Sequence, residues 1–140
     1  MKEQLLLLIT KTKLYSMQLL TVVSSFFLPI YGILILIFFC IVFDTITGIW
    51  KAKKTNTPIT SRRLSAIISK VLLYEATVML FYLMDYYLLN DIVLTFFSIE
   101  LLTTKILALV LVSVEIVSIN ENFKAVKNVD LFQALKNLFA

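Results

Sequence analysis

The chain has 140 residues, 60% of them hydrophobic and 16% charged, with a mean hydropathy of +0.94 and a formal net charge of +4. A water-soluble domain carries about 45–50% apolar and about 25% charged residues, and a chain this short buries too little surface to hide the excess. A soluble globular fold is thereby excluded, and the apolar side chains must face lipid or other copies of the chain.

Two Gly and two Pro leave little room for loops. The expected fold class is all-α, since a helix satisfies its own backbone polar groups in hydrocarbon. The many short alternating segments of a β-barrel are not visible. There is no His, and the one Cys, Cys40, lies in an apolar run. An internal disulfide and a His/Cys metal cluster are therefore excluded. Cys40 reads as a packed or lipid-facing side chain, and no cofactor is expected.

In chain order, residues 2–28 mix apolar runs with Lys2, Lys11 and Lys13. They read as an amphipathic helix at the membrane interface or, from residue 14 on, as an additional span. No small-residue cleavage site follows a compact apolar core, so no cleaved leader is expected. Pro29 and Gly32 mark a turn. Residues 31–50, YGILILIFFCIVFDTITGIW, form the first span, with Trp50 as an interfacial anchor.

Segment 51–63 reads as a loop carrying Lys51, Lys53, Lys54, Arg62 and Arg63 and no acid, with Ser61 as the expected cap of the next helix. Residues 64–89 form the second span, ending in an aromatic belt with Tyr82, Asp85, Tyr86 and Tyr87. Residues 90–100 read as a connection and 101–119 as the third span, just long enough to cross. In the tail, 120–140, Val129, Phe132, Leu135 and Phe139 recur at helical spacing. They suggest a short amphipathic helix on the membrane surface or on a neighbouring subunit. The chain is thus one membrane domain of three spans, or four if residues 14–28 cross.

The basic loop is a topology signal before it is a nucleic-acid surface, so no nucleic-acid partner is expected. The positive-inside rule puts 51–63 in the cytoplasm, the acidic connection outside, and the tail with Lys124, Lys127 and Lys136 in the cytoplasm.

Ionisable residues inside spans are costly and point to function. Asp44 lies seven residues before Lys51, Lys70 seven after Arg63, and Glu115 seven before Asn122. At about 1.5 Å per residue each sits roughly 10 Å inside its span. Asp44, Thr47, Gly48 and Lys51 share a helix face, as do Glu115, Ser118 and Asn122, and as do Lys70, Tyr74 and Thr77. Lys70 is expected to pair with Asp44 and Glu115, within a subunit or between subunits. Such a cluster either locks helix packing or lines a water-filled path after assembly. Glu75 and Lys105 form a second, looser candidate pair. With no His and no G-x-S-x-G elbow, no enzymatic activity is expected.

Three stretches resemble a known family. Phe43-Asp44-Thr45-Ile46-Thr47-Gly48-Ile49-Trp50-Lys51-Ala52-Lys53-Lys54 is similar to the D-x-x-x-G segment and basic loop of the phage holin family that includes the clostridial toxin-secretion holins. Ser61-Arg62-Arg63, with Lys70 following, resembles that family's loop exit. Ser113 to Asn122 resembles its E-x-x-S-I-x-E-N segment, with Glu115, Ser118, Glu121 and Asn122 on the motif. The resemblance covers about residues 28–125, and the whole chain with its Leu/Phe tail resembles holins of Bacteroidetes phages and prophages. It implies a homo-oligomer that accumulates in the bacterial cytoplasmic membrane. There it would open lesions that let an endolysin or toxin reach the cell wall, without cofactor or catalysis. The residues alone also admit a small-solute channel or transporter subunit, or a membrane anchor for a partner protein.

Overall fold

The computed structural model describes residues 2–139, apart from the side chains of Leu5, Leu8, Arg62, Arg63, Leu64 and Asn90. The chain is an all-α membrane protein. Its helices are α1 (Lys2–Phe26), α2 (Tyr31–Lys54), α3 (Ser61–Met84), α4 (Asn90–Phe97), α5 (Leu102–Lys127) and α6 (Leu131–Phe139). A 3-10 turn, Leu28–Ile30, leads into α2, and a π-helical turn, Asp85–Leu89, joins α3 to α4. The chain divides into two compact units, one up to Tyr31 and the other from Gly32.

Four segments are long and apolar enough to cross a membrane: Lys2–Phe26, Leu28–Lys54, Ser65–Leu89 and Leu102–Lys127. At about 1.5 Å per residue these are roughly 37–40 Å long, more than the about 30 Å of a hydrocarbon core. The fourth candidate is α1, which includes most of the segment expected as an additional span. Its polar residues are distributed about the axis. Thr12, Lys13 and Ser25 lie roughly 100–140° apart at 3.6 residues per turn. Its hydroxyls satisfy themselves on the helix, as Thr10 donates to the Leu6 carbonyl, Thr21 to Met17 and Ser24 to Leu20.

In the second unit α2, α3 and α5 meet along a narrow seam. Ile37, Ile41, Val78, Tyr82, Thr104, Ala108 and Glu115 are buried there. Outside the seam the spans present Phe38, Phe39, Leu72, Leu73, Leu109 and Val110 outward. Such a surface needs lipid or other copies, as the composition requires.

The basic segment departs from expectation. Lys51, Lys53 and Lys54 are the last turn of α2, where cations complement the negative end of the helix dipole. Arg62 and Arg63 fall in the first turn of α3, their side chains outside the described set. The true connection is residues 55–60. Asn56 takes the left-handed conformation, φ 53°, and Thr57 N–H bonds back to the Ala52 carbonyl at 2.9 Å, which is a Schellman termination. Ser61 does not cap α3. The capping position is Thr60, extended at φ −98° and ψ 153°, without a side-chain cap bond. Ser61 is already helical, so its hydroxyl cannot fold forward over the first turn.

Segment 90–100 is likewise mostly helix, since α4 occupies Asn90–Phe97. The turn into α5 is tight, with Ser98 (φ 54°) and Leu101 (φ 53°) both left-handed.

Candidate intramembrane polar site

Each of the three packed spans carries one ionisable group to a common level. Lys70 Nζ, on α3, lies 3.1 Å from Asp44 Oδ2 on α2 and 2.5 Å from Glu115 Oε2 on α5. The ammonium also stands 5.9 Å from the centre of the Tyr74 ring. Glu115 is fully buried, at 0% exposure, and its Oε1 has no hydrogen-bond partner among the described residues. With all three groups ionised the cluster carries one net negative charge in a low-dielectric setting. The cost of taking these charges out of water offsets much of their mutual attraction, so the cluster is no measure of stability by itself.

Asn122 extends the network. Its Nδ2 donates to Asp44 Oδ1 at 3.3 Å and to Thr47 Oγ1 at 3.2 Å, while the Thr47 hydroxyl donates to the Asp44 carbonyl at 2.9 Å. Gly48 sits beside this contact. A Cβ there would meet Asn122 Nδ2 at 3.7 Å, ordinary van der Waals distance. The contact at Gly48 is thus between α2 and α5 of one chain. A cavity of about 190 Å³ opens beside Asp44, lined also by Thr45, Gly48, Ile59 and Ile67.

Other candidate residues stand apart. Ser118 is half-buried on α5 and Glu121 is exposed; neither side chain enters this network. Glu75 and Lys105 do not meet. Among the described residues the ion pairs are the two at Lys70 and a third between Lys124 and Asp130. The reason is rotation as well as register. With Lys70 opposite Glu115 on antiparallel helices, Glu75 and Lys105 are offset by about 7.5 Å along the bundle, and Glu75 is turned roughly 140° around α3 from Lys70.

Two polar arrangements escaped the sequence reading. Asp85, placed there in an interfacial belt, is 1% exposed. It accepts from the Thr103 hydroxyl, from Thr104 N–H at 2.8 Å and from the Thr104 hydroxyl at 2.6 Å. A carboxylate from α3's end thus caps the first turn of α5, where N–H groups lack intrahelical partners. The available signal was the Thr103-Thr104 pair at the start of a span. At the other end Trp50 meets Phe123 edge-on at 5.3 Å, and Lys127 Nζ stands 5.7 Å over the Trp50 ring. Beside them Asn120 and Lys124 on α5 hold Asp130, ahead of α6.

No curated protein and no solved structure matches the chain. The model of the bacteriophage holin family matches residues 21–140. That stretch contains α2 to α6 and every member of the polar site. Apolar membrane-crossing helices drawn together by this site, with a family match over most of the length, establish that the chain belongs to the bacteriophage holin family.

Proposed function

We propose that this chain is a pore-forming holin. It accumulates in the bacterial cytoplasmic membrane, assembles with further copies and opens a lesion through which an endolysin or toxin reaches the cell wall. The carrying observation is the family match together with a charged network inside otherwise lipid-suited helices. Largely exposed apolar spans favour lateral association, in which packing and interhelical polar contacts replace a hydrophobic driving force. The faces carrying Asp44, Thr47, Lys70, Glu115 and Ser118 are those suited to water once a lesion opens. Glu115 Oε1, without a hydrogen-bond partner among the described residues, is an acceptor that water would satisfy. Within the family, the Leu/Phe tail supports a place beside holins of Bacteroidetes phages.

In this reading the basic ends of α2 and α5 face the cytoplasm, by the positive-inside rule. With α1 as a fourth span, both termini face the cytoplasm and Lys2 joins the basic side.

The test is inducible expression in bacteria with a cytoplasmic reporter enzyme, with and without a co-expressed endolysin. Reporter release at a defined time, and lysis only with endolysin, is the expected result. Asp44→Leu and Glu115→Leu should each shift that time. Selective ion current with no release of protein would overturn the reading in favour of a channel.

A further inference from the structure

The last helix, α6, is built as an amphipathic element and held at a defined place. At 3.6 residues per turn, Leu131, Leu135, Leu138, Phe132 and Phe139 gather on one side, and Gln133, Lys136 and Asn137 on the other. The apolar side is bare: Leu138 is 78% and Phe139 84% exposed. Nine residues make no stable helix in water by themselves, so α6 requires a surface.

What precedes α6 sets where that surface lies. Helix α5 runs to Lys127, so its last turns extend beyond an about 30 Å hydrocarbon layer. Asn128 reverses the chain in the left-handed conformation, φ 54°. Asn120 Nδ2 then donates to Asp130 Oδ1 at 3.3 Å, Asn120 Oδ1 accepts Leu131 N–H at 2.7 Å, and Lys124 Nζ bonds Asp130 Oδ2 at 3.2 Å. Asp130 Oδ1 also accepts the N–H groups of Phe132 and Gln133, at 3.0 and 3.4 Å, as an N-cap. This lock starts α6 beside the last two turns of α5, close in chain to Phe123, which meets Trp50, an aromatic suited to a headgroup boundary.

Charge identifies the surface. Lys51, Lys53 and Lys54 end α2, Lys124 and Lys127 end α5, and Lys136 lies on α6. Beside an unpaired apolar face this is the pattern that seats on anionic phospholipid.

We propose that α6 is an interfacial anchor. It lies in the headgroup layer of the bilayer that the spans cross, its Leu/Phe face toward the acyl chains and the lysines against anionic headgroups. The Asn120–Asp130–Lys124 lock sets its depth. The inference rests on membrane residence and not on lesion formation, so either can fail alone.

The test uses the full chain in a Cys40→Ala background, reconstituted in phosphatidylcholine vesicles with or without phosphatidylglycerol. Single cysteines at Leu138→Cys and Gln133→Cys carry a nitroxide. Relaxation by oxygen is compared with relaxation by a water-soluble nickel complex. The expected result is several-fold shielding of the 138 label from nickel relative to 133, greater with phosphatidylglycerol and smaller at high salt. Asp130→Ala should narrow the difference. Equal nickel access at both positions would overturn the proposal. So would shielding at 138 that ignores lipid charge and brings spin–spin broadening between labels, since a second copy would then cover the face. Leu135→Glu, read at position 138, supplies an independent check: loss of shielding is expected, and unchanged shielding counts against a lipid contact.

Discussion

Lys70 holds two carboxylates within reach of one ammonium, 3.1 Å from Asp44 and 2.5 Å from Glu115. Losing the ammonium leaves two acids in a low-dielectric interior, whereas losing Asp44's charge leaves a neutral Lys70–Glu115 pair. The two changes should therefore differ sharply. Lys70→Met is expected to destabilise the folded chain by about 3–5 kcal/mol, the usual penalty for uncompensated buried charge. Asp44→Asn should cost markedly less, because Lys70 keeps Glu115 and the amide can still bond. Denaturant titration in detergent measures both, and equal losses would show that Lys70 does not organise the cluster. Adding Asp44→Asn and Glu115→Gln to Lys70→Met should recover most of the loss. The depth of these residues is legible in the sequence, since rise per residue turns a count along a span into a distance. Asn122 was legible as a member of a helix face and of the E-x-x-S-I-x-E-N segment, and not as a partner. That it reaches Asp44 and Thr47 depends on how α2 and α5 are rotated toward each other.

Among the elements, α6 depends on its first capping residue. The Lys124 ammonium, more than the amide of Asn120 and the N–H groups of Gln133 and Phe132, holds the Asp130 carboxyl below the ordinary carboxylate range. A lowered folded-state pKa stabilises above the unfolded value, and that contribution is lost as pH falls through the folded value. Attachment of α6 should hold from neutral pH down to about pH 4, the unperturbed carboxylate region, and fade only below it. Amide hydrogen exchange at Leu131 to Gln133 reads this directly. Asp130→Asn should lower protection at neutral pH and remove the acid dependence. An unaltered acid response in that variant would place the titrating group elsewhere. The apolar periodicity of α6 was readable in advance, because it is a local repeat. The lock was not, because Asn120 and Asp130 belong to different helices and meet only through the reversal at Asn128.

At the scale of the molecule, two polar ties set α3 against α5. One is Lys70 with Glu115, and the other is Asp85 on Thr103 and Thr104. The ties stand about 16–22 Å apart along the helices, so together they hold both register and separation. Asp85→Ala leaves buried hydroxyls and the Thr104 N–H without their acceptor. It should cost about 1–3 kcal/mol and raise hydrogen exchange in the first turn of α5 more than near Glu115. Uniform change along α5 would argue against a tie at that end. Membrane residence, helical class and the rough position of the spans follow from the sequence by itself, because hydropathy summed over 20 or so residues outweighs any single contact. The pairing of Lys70 with Asp44 and Glu115 was expected from their common depth, and only the tertiary structure decided that it forms within one chain, that Asp85 turns inward as a cap, that Glu75 and Lys105 stay apart, and that Gly48 faces Asn122 of its own chain. These are pairings between helices distant in sequence, and they depend on rotation and register that no local pattern encodes.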